Sequence, residues 1–336
     1  MKEFRFWFSE QRGTLLALGI FLAMFAVYLT NHPAIVNNGY TVQGVGNVVQ
    51  TAANKGVLLA LVAMAQTFVV LTAGIDLSVG AIFILANCLA SYIVVGSPLT
   101  VTAGVIGVLL TGALCGAVNA AIVIFGRLQP IVATIASGAV FFGIALWLRP
   151  FPGSSPEFAS GLASALTGKL FGLIPTSLVF LAAVVLLVWI PFRRSVLGRA
   201  VYAAGSSEVA AYMSGMPVRR AKFAAYVLSG VFAATAGLFL TFFTYSGEAS
   251  AANGNTYTLY SIAAVVLGGV SLFGGRGSAI GAIFGALAFR AIGDLLFVFE
   301  VDPLWQPLFQ GIVLLIAVSI GSARLFRVRN RLELFG

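Results

Sequence analysis

The sequence has little of what enzymes use for catalysis. It contains one histidine in 336 residues, so catalysis by a histidine acid or base is disfavoured. The nucleotide-binding pattern G-x-x-x-x-G-K-[ST] is missing, because the Gly168–Lys169 pair is followed by Leu170. Neither an H-E-x-x-H pattern nor a glycine-rich dinucleotide turn occurs. We therefore predict a protein that is not an enzyme and holds no cofactor. Any ATP that drives its work must be hydrolysed by another polypeptide.

Cysteine is also scarce, and Cys88 and Cys115 each lie inside an apolar run. Buried thiols of this kind usually pack as small apolar side chains. Two cysteines at this spacing do not match a metal-ligand pattern, so no metal site is predicted.

Charged residues make up only 9% of the chain, whereas a soluble domain has roughly 25%. Hydrophobic residues make up 60%, which indicates a protein that crosses a membrane several times. The net charge of +9 does not indicate nucleic acid as a partner, because most cations flank apolar runs, as they do in cytoplasmic loops. Three clusters hold three, six and four of the 19 cations: Lys2, Arg5 and Arg12; Arg193, Arg194, Arg199, Arg219, Arg220 and Lys222; Arg324, Arg327, Arg329 and Arg331.

A membrane-spanning helix needs about 20 mainly apolar residues. Ten stretches approach this requirement, near residues 14–31, 47–73, 79–97, 101–125, 131–148, 176–192, 223–245, 257–273, 279–299 and 304–322. Six spans before the basic segment 193–222 and four after it place all three cation clusters on one side. We therefore predict an all-α polytopic membrane protein whose N- and C-termini are cytoplasmic. It forms one transmembrane domain over 1–336, with six spans in 1–192, a cytoplasmic loop in 193–222, and four spans with a basic tail in 223–336.

The basic segment contains helix signals at both ends of a short stretch. Ser206 or Ser207 can cap the amide groups of a first helical turn, and Glu208 suits the positive end of the helix dipole. Gly215 can take the left-handed conformation that ends many helices. These signals predict a two-turn helix over Ser207–Ser214, which a cytoplasmic partner could push. An ordinary surface loop between two spans is the alternative.

Segment 150–175 is the longest connection predicted on the other side of the membrane. Its start is rich in proline, glycine and serine, which predicts a turn. Residues 159–173 then predict an amphipathic helix that lies on the outer face of the membrane.

Two glycine-rich hairpins interrupt the apolar pattern in similar ways. The first hairpin is Leu71–Gly80, with the sequence LTAGIDLSVG, and the second is Gly268–Ser278, with the sequence GGVSLFGGRGS. Their positions indicate an internal repeat of residues 47–148 and 223–322. Such interruptions of transmembrane helices often line the cavity of a transport protein. Alternatively, both are turns at the membrane surface, and Asp76 caps the helix that follows the first hairpin.

Polar side chains also lie inside the predicted spans. Gln66, Asn87 and Asn119 could hydrogen-bond a hydroxylated solute, or they could join neighbouring helices. Together with Asp76 and Ser78 of the first hairpin, they are our candidates for a translocation pathway.

Three motifs resemble those of a known family: GIDLSVG at Gly74–Gly80, the stretch Ala204–Gly215 with a basic stretch after it, and GGVSLFGGRGS at Gly268–Ser278. In this order over nearly the whole chain, they resemble the permease subunits of bacterial ABC importers for simple sugars, of the ribose, xylose, arabinose and fructose type. The first motif is typical of the sugar branch. The other two are partly shared with the branched-chain amino acid branch.

The resemblance implies a protein of the bacterial inner membrane, surrounded by lipid, in which two identical or paralogous permease subunits form the pathway. An extracytoplasmic binding protein would deliver a monosaccharide or polyol, and a duplicated ATPase would dock on the cytoplasmic loops. Import would proceed by alternating access, driven by ATP hydrolysis in that separate subunit.

The resemblance also assigns residues 207–216 to a coupling helix. The stretch from Glu208 to Gly215 is similar to the Glu-Ala-Ala-x-x-x-Gly pattern of importer permeases, with one additional residue after the glutamate. The chain departs from the family at Gly205–Ser206, where related loops often have Gly-Asn. The predicted coupling residues are Ser207, Glu208, Ala210, Ala211, Gly215, Arg219 and Arg220.

Three alternatives remain beside a sugar importer. A branched-chain amino acid permease is the alternative within the importer class. A secondary transporter driven by a proton or sodium gradient would use Asp76 as a relay, with Arg290 and Asp294, which are four residues apart and could pair on one helix face. The absence of a denser chain of carboxylates or histidines disfavours such a relay. A membrane-embedded enzyme is disfavoured by the shortage of catalytic side chains.

Overall fold

Helices make up nearly all of the regular structure. The computed structural model of the chain describes residues 2–37, 39–155, 157–316 and 319. Its helices are α1 (Lys2–Asn31), α2 (Pro33–Val36), α3 (Val42–Val70), α4 (Val79–Ile93), α5 (Pro98–Ile124), α6 (Pro130–Leu148), α7 (Ser160–Thr167), α8 (Thr176–Val184), α9 (Ile190–Arg194), α10 (Val196–Ser206), α11 (Glu208–Met213), α12 (Val218–Thr244), α13 (Ala251–Leu267), α14 (Ala279–Val298) and α15 (Gln306–Ile316).

A π-helical turn at Val185–Trp189 joins α8 to α9, and a 3-10 turn at Pro303–Trp305 precedes α15. Two short strands, β1 (Lys169–Leu170) and β2 (Ile174–Pro175), pair antiparallel with Lys169 opposite Pro175.

Seven helical stretches in the described residues are long and apolar enough to cross a membrane. They are the part of α1 from Gln11 onwards, α3, α5, α6, the α8–α9 stretch, α12 and α14. Helices α4 and α15 are shorter and apolar, and α13 has 17 residues. The prediction of an all-α polytopic membrane protein is therefore confirmed, while the count of ten spans stays a prediction. The C-terminal cation cluster and the end of the last predicted span lie outside the described residues.

Helix α3 lies at the centre of the bundle because its second half is almost entirely apolar, with Gln66 and Thr67 as its polar residues. Every residue from Val57 to Val70 is buried. A helix without a polar face is stable only when other helices or a membrane surround it. Helices α12 and α14 pack on α3, α12 also contacts α4 and α5, and α14 also contacts α1 and α13. Phe68 of α3 contacts Trp189 and Phe232 at ring-centroid distances of 5.5 and 5.1 Å.

Glycines allow several of these helices to cross closely. Where α5 crosses α12, a side chain at Gly112 would collide with the backbone of Gly230. On α14, a side chain at Gly285 would collide with the backbone of Ala264 in α13. Small residues at such crossings replace side-chain contacts with close backbone packing, which is typical of helices in membranes.

Contacts between helix ends define one face of the bundle, which we call the hairpin face. Here the two hairpins touch, and the N–H of Gly275 donates a hydrogen bond to Leu71 O at 3.1 Å. The beginning of α1 reaches the same place, since Gly13 lies against the backbone of Gly269. The hairpin face therefore contains the end of α3, the start of α14 and the first part of α1.

The opposite ends of the same helices form what we call the far face. His32, directly after α1, contacts Phe297 near the end of α14 at a ring-centroid distance of 6.1 Å. Gly46, near the start of α3, lies against the backbone of Gly172. Helices α1, α3 and α14 therefore run through the bundle from one face to the other.

The basic segment 193–222 is mostly helical, so the prediction of a loop with one short helix is wrong in this respect. Helix α10 fills residues 196–206, and the Oγ of Ser195 caps it by accepting the N–H of Gly198 at 3.0 Å. Ala200, Val201 and Ala204 are buried, and α10 packs on α12. This spacing is the apolar stripe of an amphipathic helix, so α10 could have been predicted from the positions of these three residues.

The predicted amphipathic helix over residues 159–173 is only half present. Helix α7 covers Ser160–Thr167, and its C-cap residue Gly168 leads into strand β1. The turn between β1 and β2 contains Phe171 and Gly172, whose φ angles are 52° and 74°. Two consecutive residues in the left-handed region cannot continue a right-handed helix, and the chain therefore reverses here.

Candidate functional site

Helix α11 is a short capped helix on the hairpin face. The Oγ of Ser207 accepts the N–H of Ala210 at 3.3 Å. At the other end, Gly215 has a φ of 74°, and its N–H and the N–H of Met216 each donate to a carbonyl of the last turn at 3.0 Å. These two bonds are those of a Schellman motif. The predicted helix with a serine cap and a left-handed glycine is therefore confirmed, over Glu208–Met213.

One side of α11 is apolar and exposed, whereas the other packs on the bundle. Val209, Tyr212 and Met213 are 70%, 76% and 82% exposed. Ala211 is buried in a small cluster with Ala204 of α10. Exposed apolar side chains that lie together indicate a surface that contacts another protein or the membrane.

An ion pair joins α11 to α12. The Nζ of Lys222 lies 2.5 Å from Oε2 of Glu208. The Glu208 side chain is 58% exposed, so the pair contributes at most about 1 kcal/mol to stability. Arg219 and Arg220 are exposed. Lys222 was not among the predicted coupling residues, because spacing alone does not indicate which cation of α12 faces α11.

Gly205 is the point where α10 touches both hairpins. A side-chain carbon built on Gly205 would overlap Leu71 O and would lie 2.5 Å from the nitrogen of Gly275. A second link is the hydroxyl of Tyr202, which donates to Gly277 O at 2.7 Å. The end of α10, which leads directly into α11, therefore rests on the main chain of the first hairpin and on that of the second.

A buried polar cluster holds the first hairpin in place. Asp76 and Ser78 are fully buried, and Oδ1 of Asp76 accepts the N–H and the hydroxyl of Ser78 at 2.9 and 2.6 Å. Oδ2 of Asp76 accepts the hydroxyl of Ser229 at 3.3 Å. The amide of Asn119 donates to Ser78 Oγ at 2.7 Å and accepts from Ser137. The structure thus brings together Asp76, Ser78 and Asn119, three of the five predicted pathway candidates.

Further hydrogen bonds tie this hairpin to neighbouring helices. The N–H of Leu77 donates to Oγ1 of Thr134 in α6 at 2.9 Å. The N–H of Gly80 donates to Oγ1 of Thr258 in α13 at 3.0 Å. The backbone amides at the start of α4 are therefore satisfied by side chains from three directions, as buried helix ends require. Sequence reasoning missed Ser137, Ser229 and Thr258, because serine and threonine are common in membrane spans.

The other two pathway candidates, Asn87 and Gln66, lie apart from this cluster and differ from each other in their hydrogen bonding. The amide of Asn87 donates to Thr241 Oγ1 and to Ser246 O, and it accepts the N–H of Glu248 at 2.9 Å. Asn87 therefore joins α4 to the end of α12. Gln66 is fully buried in α3, and neither of its side-chain polar atoms has a hydrogen-bond partner among the described residues.

A charged group lies near the far-face end of α14. Arg290 pairs with Asp294 at 3.5 Å, as predicted, and the Nζ of Lys55 lies 3.9 Å from the same carboxylate oxygen. The three residues line an open-sided cavity of about 780 Å³. Asp76 belongs to the hairpin face, so the structure does not bring together the groups of the ion relay considered above.

Comparison with known proteins shows similarity over most of the chain. Residues 48–318 match the family described as branched-chain amino acid transport system / permease component. The chain is 34% identical to the ribose import permease protein RbsC of Bacillus subtilis, over 92% of this chain and 93% of that protein. It is 30% identical to the D-allose transport system permease protein AlsC of Escherichia coli, over 95% and 94%. It is 35% identical to the fructose import permease protein FrcC of Rhizobium meliloti, over 78% and 74%. No solved structure matches the chain.

Proposed function

The chain belongs to the family described as branched-chain amino acid transport system / permease component, and from this membership we propose that it is the membrane-spanning subunit of an ATP-binding-cassette importer for a monosaccharide or related polyol. The family is one of transport permease components and not of enzymes. Relatives that are 30–35% identical are named for ribose, allose and fructose. These names favour a sugar over a branched-chain amino acid as the cargo.

The contact of Gly205 with both hairpins is the observation that carries this proposal. An importer permease needs a route by which an ATPase on one face can move helices that cross the membrane. Helix α11 offers an exposed apolar surface on that face, and α10 connects it through Gly205 to Leu71 and Gly275. Because main-chain atoms cannot move aside as a side chain can, we expect displacement of α10 to displace both hairpins.

The proposed mechanism is alternating access driven through α11. Nucleotide-dependent closure of the ATPase would shift α11, and the shift would reach α3 and α4 through the first hairpin, and α13 and α14 through the second. Interfaces of close-packed small residues favour movement of helices as rigid units between a few discrete arrangements. Ser207, Gly215 and the Glu208–Lys222 pair would keep α11 in a fixed orientation, and Arg219 and Arg220 would contact the ATPase.

We propose different roles for the pathway candidates. Asp76, Ser78, Asn87 and Asn119 are hydrogen-bonded to protein groups, which would compete with a solute for the same polar atoms. Their proposed role is to hold the moving helices together. Gln66 has no hydrogen bonds to other described residues to lose, which makes it the strongest of the five candidates for contact with a hydroxylated solute during transport.

The proposed orientation places the hairpin face in the cytoplasm. That face carries the cations of the basic segment, as cytoplasmic loops do. We further propose ten spans, cytoplasmic termini and a location in the bacterial inner membrane. The proposed partners are an ABC ATPase, an extracytoplasmic sugar-binding protein and a second permease subunit, identical or paralogous.

The energy source of uptake tests the proposed function. We expect cells that express this chain with its ATPase and binding protein to take up D-ribose, D-allose or D-fructose, measured with radiolabelled sugar. Uptake should persist when an ionophore collapses the proton and sodium gradients while ATP is maintained, and it should stop when ATP is depleted. Uptake that follows the ion gradient instead would indicate a secondary transporter and contradict the proposal.

A further inference from the structure

The far-face cavity has the residue set of a carbohydrate site. It has a volume of about 780 Å³, within the range of small-molecule pockets. Tyr28, His32 and Phe297 provide aromatic surface, and Tyr28 and His32 contact each other edge to face at a centroid distance of 5.1 Å. Aromatic rings offer a sugar apolar contact, while neighbouring polar groups can bind its hydroxyls.

The polar groups of the cavity retain hydrogen-bonding capacity. Asp294 is contacted by Arg290 at 3.5 Å and by Lys55 at 3.9 Å, distances longer than the 2.7–3.2 Å of direct N–H···O bonds. Both contacts are to Oδ1 of the Asp294 carboxylate. Asp294 and Arg290 both line the cavity, so a carboxylate acceptor and guanidinium donors are placed where a hydroxyl group can bind.

Charged groups of both signs line the cavity. Lys55 and Arg290 are the cations, and Asp294, Glu300 and Asp302 are the carboxylates. Partial burial lowers the pKa of His32, and its Nδ1 accepts the N–H of Ala34 at 3.2 Å, so the ring is neutral near pH 7. The lining then carries one net negative charge, which disfavours an anionic ligand.

The position of the cavity fits a transport subunit. It is lined by the far-face ends of α1, α3 and α14, and the other ends of the same three helices reach Gly13, Leu71 and Gly277 on the hairpin face. Movement of the hairpins would therefore change the shape of the cavity. In the proposed orientation the cavity opens on the side where a binding protein releases its cargo.

We propose that this cavity is a reception site, which binds a neutral monosaccharide as it enters the permease from outside. The inference rests on the proposed function and deepens it. Binding here should be weak, because a transport site must release its ligand in every cycle. The polar lining would orient the hydroxyls, and the aromatic side chains would contact an apolar face of the sugar ring.

A matched pair of tryptophan substitutions tests the reception site. Thr51 lines the cavity on α3 and is exposed, and Thr102 is an exposed residue near the start of α5 outside the cavity. Each hydroxyl donates to the carbonyl four residues earlier, so the two positions are locally equivalent. We expect Thr51→Trp to fill part of the cavity and to lower the initial rate of ATP-driven uptake at least tenfold. Thr102→Trp should retain the wild-type rate.

Direct binding distinguishes loss of the site from loss of folding. Saturation-transfer NMR on the full chain in lipid nanodiscs should give signals from D-ribose, D-allose or D-fructose, whichever the cells take up, with the wild type and with Thr102→Trp. The signals should disappear with Thr51→Trp and weaken with Gln306→Ala, which removes an amide of the lining while leaving α15 intact. D-ribonate, the anionic counterpart of D-ribose, should compete poorly.

The outcomes separate the inference from the proposed function. Uptake without any sugar binding to the wild type, or full uptake by a folded Thr51→Trp variant, would overturn the reception site and leave the importer intact. Stronger binding of D-ribonate than of the neutral sugar would overturn the ligand class. Absence of ATP-driven sugar uptake by the wild type would overturn both.

Discussion

Substitution of Gly205 by alanine is expected to lower ATP-driven uptake at least tenfold while the protein still reaches the membrane. Alanine is a better helix former than glycine, so α10 itself should not be weakened. The added carbon, however, overlaps Leu71 O and lies 2.5 Å from the nitrogen of Gly275, so the three backbones must separate. Overpacking of this kind typically destabilises a protein by about 1–3 kcal/mol. In this variant the overpacked contact is the one that we propose transmits movement from α10 to the hairpins.

Gly143→Ala is the matched control for this prediction. Gly143 also lies inside a helix, but a side-chain carbon built there meets no atom of the described residues within 4 Å. This variant should retain wild-type uptake and membrane content. Measurements of uptake, protein content and ATPase stimulation on both variants are needed. If Gly205→Ala transported sugar at the wild-type rate, the main-chain contact could not be the route of coupling.

Substitution of Asp76 by alanine is expected to destabilise the protein by about 3 kcal/mol or more. Three buried donors, two on Ser78 and one on Ser229, would lose their acceptor, and each unsatisfied donor costs about 1–3 kcal/mol. Unfolding of the purified protein in detergent, compared with that of the wild type, measures the loss. The start of α4 should become the least stable part of the bundle.

The variant Asp76→Asn tests whether the Asp76 carboxylate only stabilises the hairpin or also contacts the transported solute. An asparagine carbonyl can accept both donors of Ser78, and its amide can donate to the hydroxyl of Ser229. We therefore expect Asp76→Asn to lose less than about 1 kcal/mol of stability and to retain uptake. A stable Asp76→Asn protein without uptake would instead indicate that the carboxylate contacts the solute or a coupling ion.

Local signals in the sequence predicted the structure of α11 but not its surroundings. Ser207 and Gly215 cap α11 through hydrogen bonds that span only a few residues. Both ends of the helix could therefore be predicted from the local sequence. The contact of Gly205 with Leu71 and Gly275 joins segments far apart in the chain. Nothing in the local pattern of Gly205 indicates this contact, and the departure from related loops concerns its neighbour Ser206.

The buried polar residues illustrate the same limit. Gln66 and Asn119 are equally polar residues in apolar helices, and the sequence offers the same two roles for each. In the structure Asn119 is bonded to Ser78 and Ser137, whereas Gln66 has no partner among the described residues. The difference depends on how each helix is rotated against its neighbours. Rotation is set by packing of the whole bundle, not by spacing along one helix.

The far-face cavity could not be predicted from the sequence either, except for the pairing of Arg290 with Asp294. Arg290 and Asp294 were expected to pair because they are one helical turn apart. Lys55 and His32 join them only because α3 and α1 pack against α14 at the same height. A cavity formed by three helices has no signature in any one of them.

Labelling of single cysteines from outside the cell tests the central claim, that a cytoplasmic partner moves the bundle through α11. Met213 and Phe171 are 82% and 94% exposed, on the hairpin face and the far face, and the native Cys88 and Cys115 are buried and therefore poorly reactive. A membrane-impermeant maleimide should label Phe171→Cys but not Met213→Cys in intact bacterial cells with the outer membrane made permeable. In inverted membrane vesicles it should label Met213→Cys. Labelling of Met213→Cys in the intact cells would place α11 outside, where no ATPase can reach it, and would contradict the account.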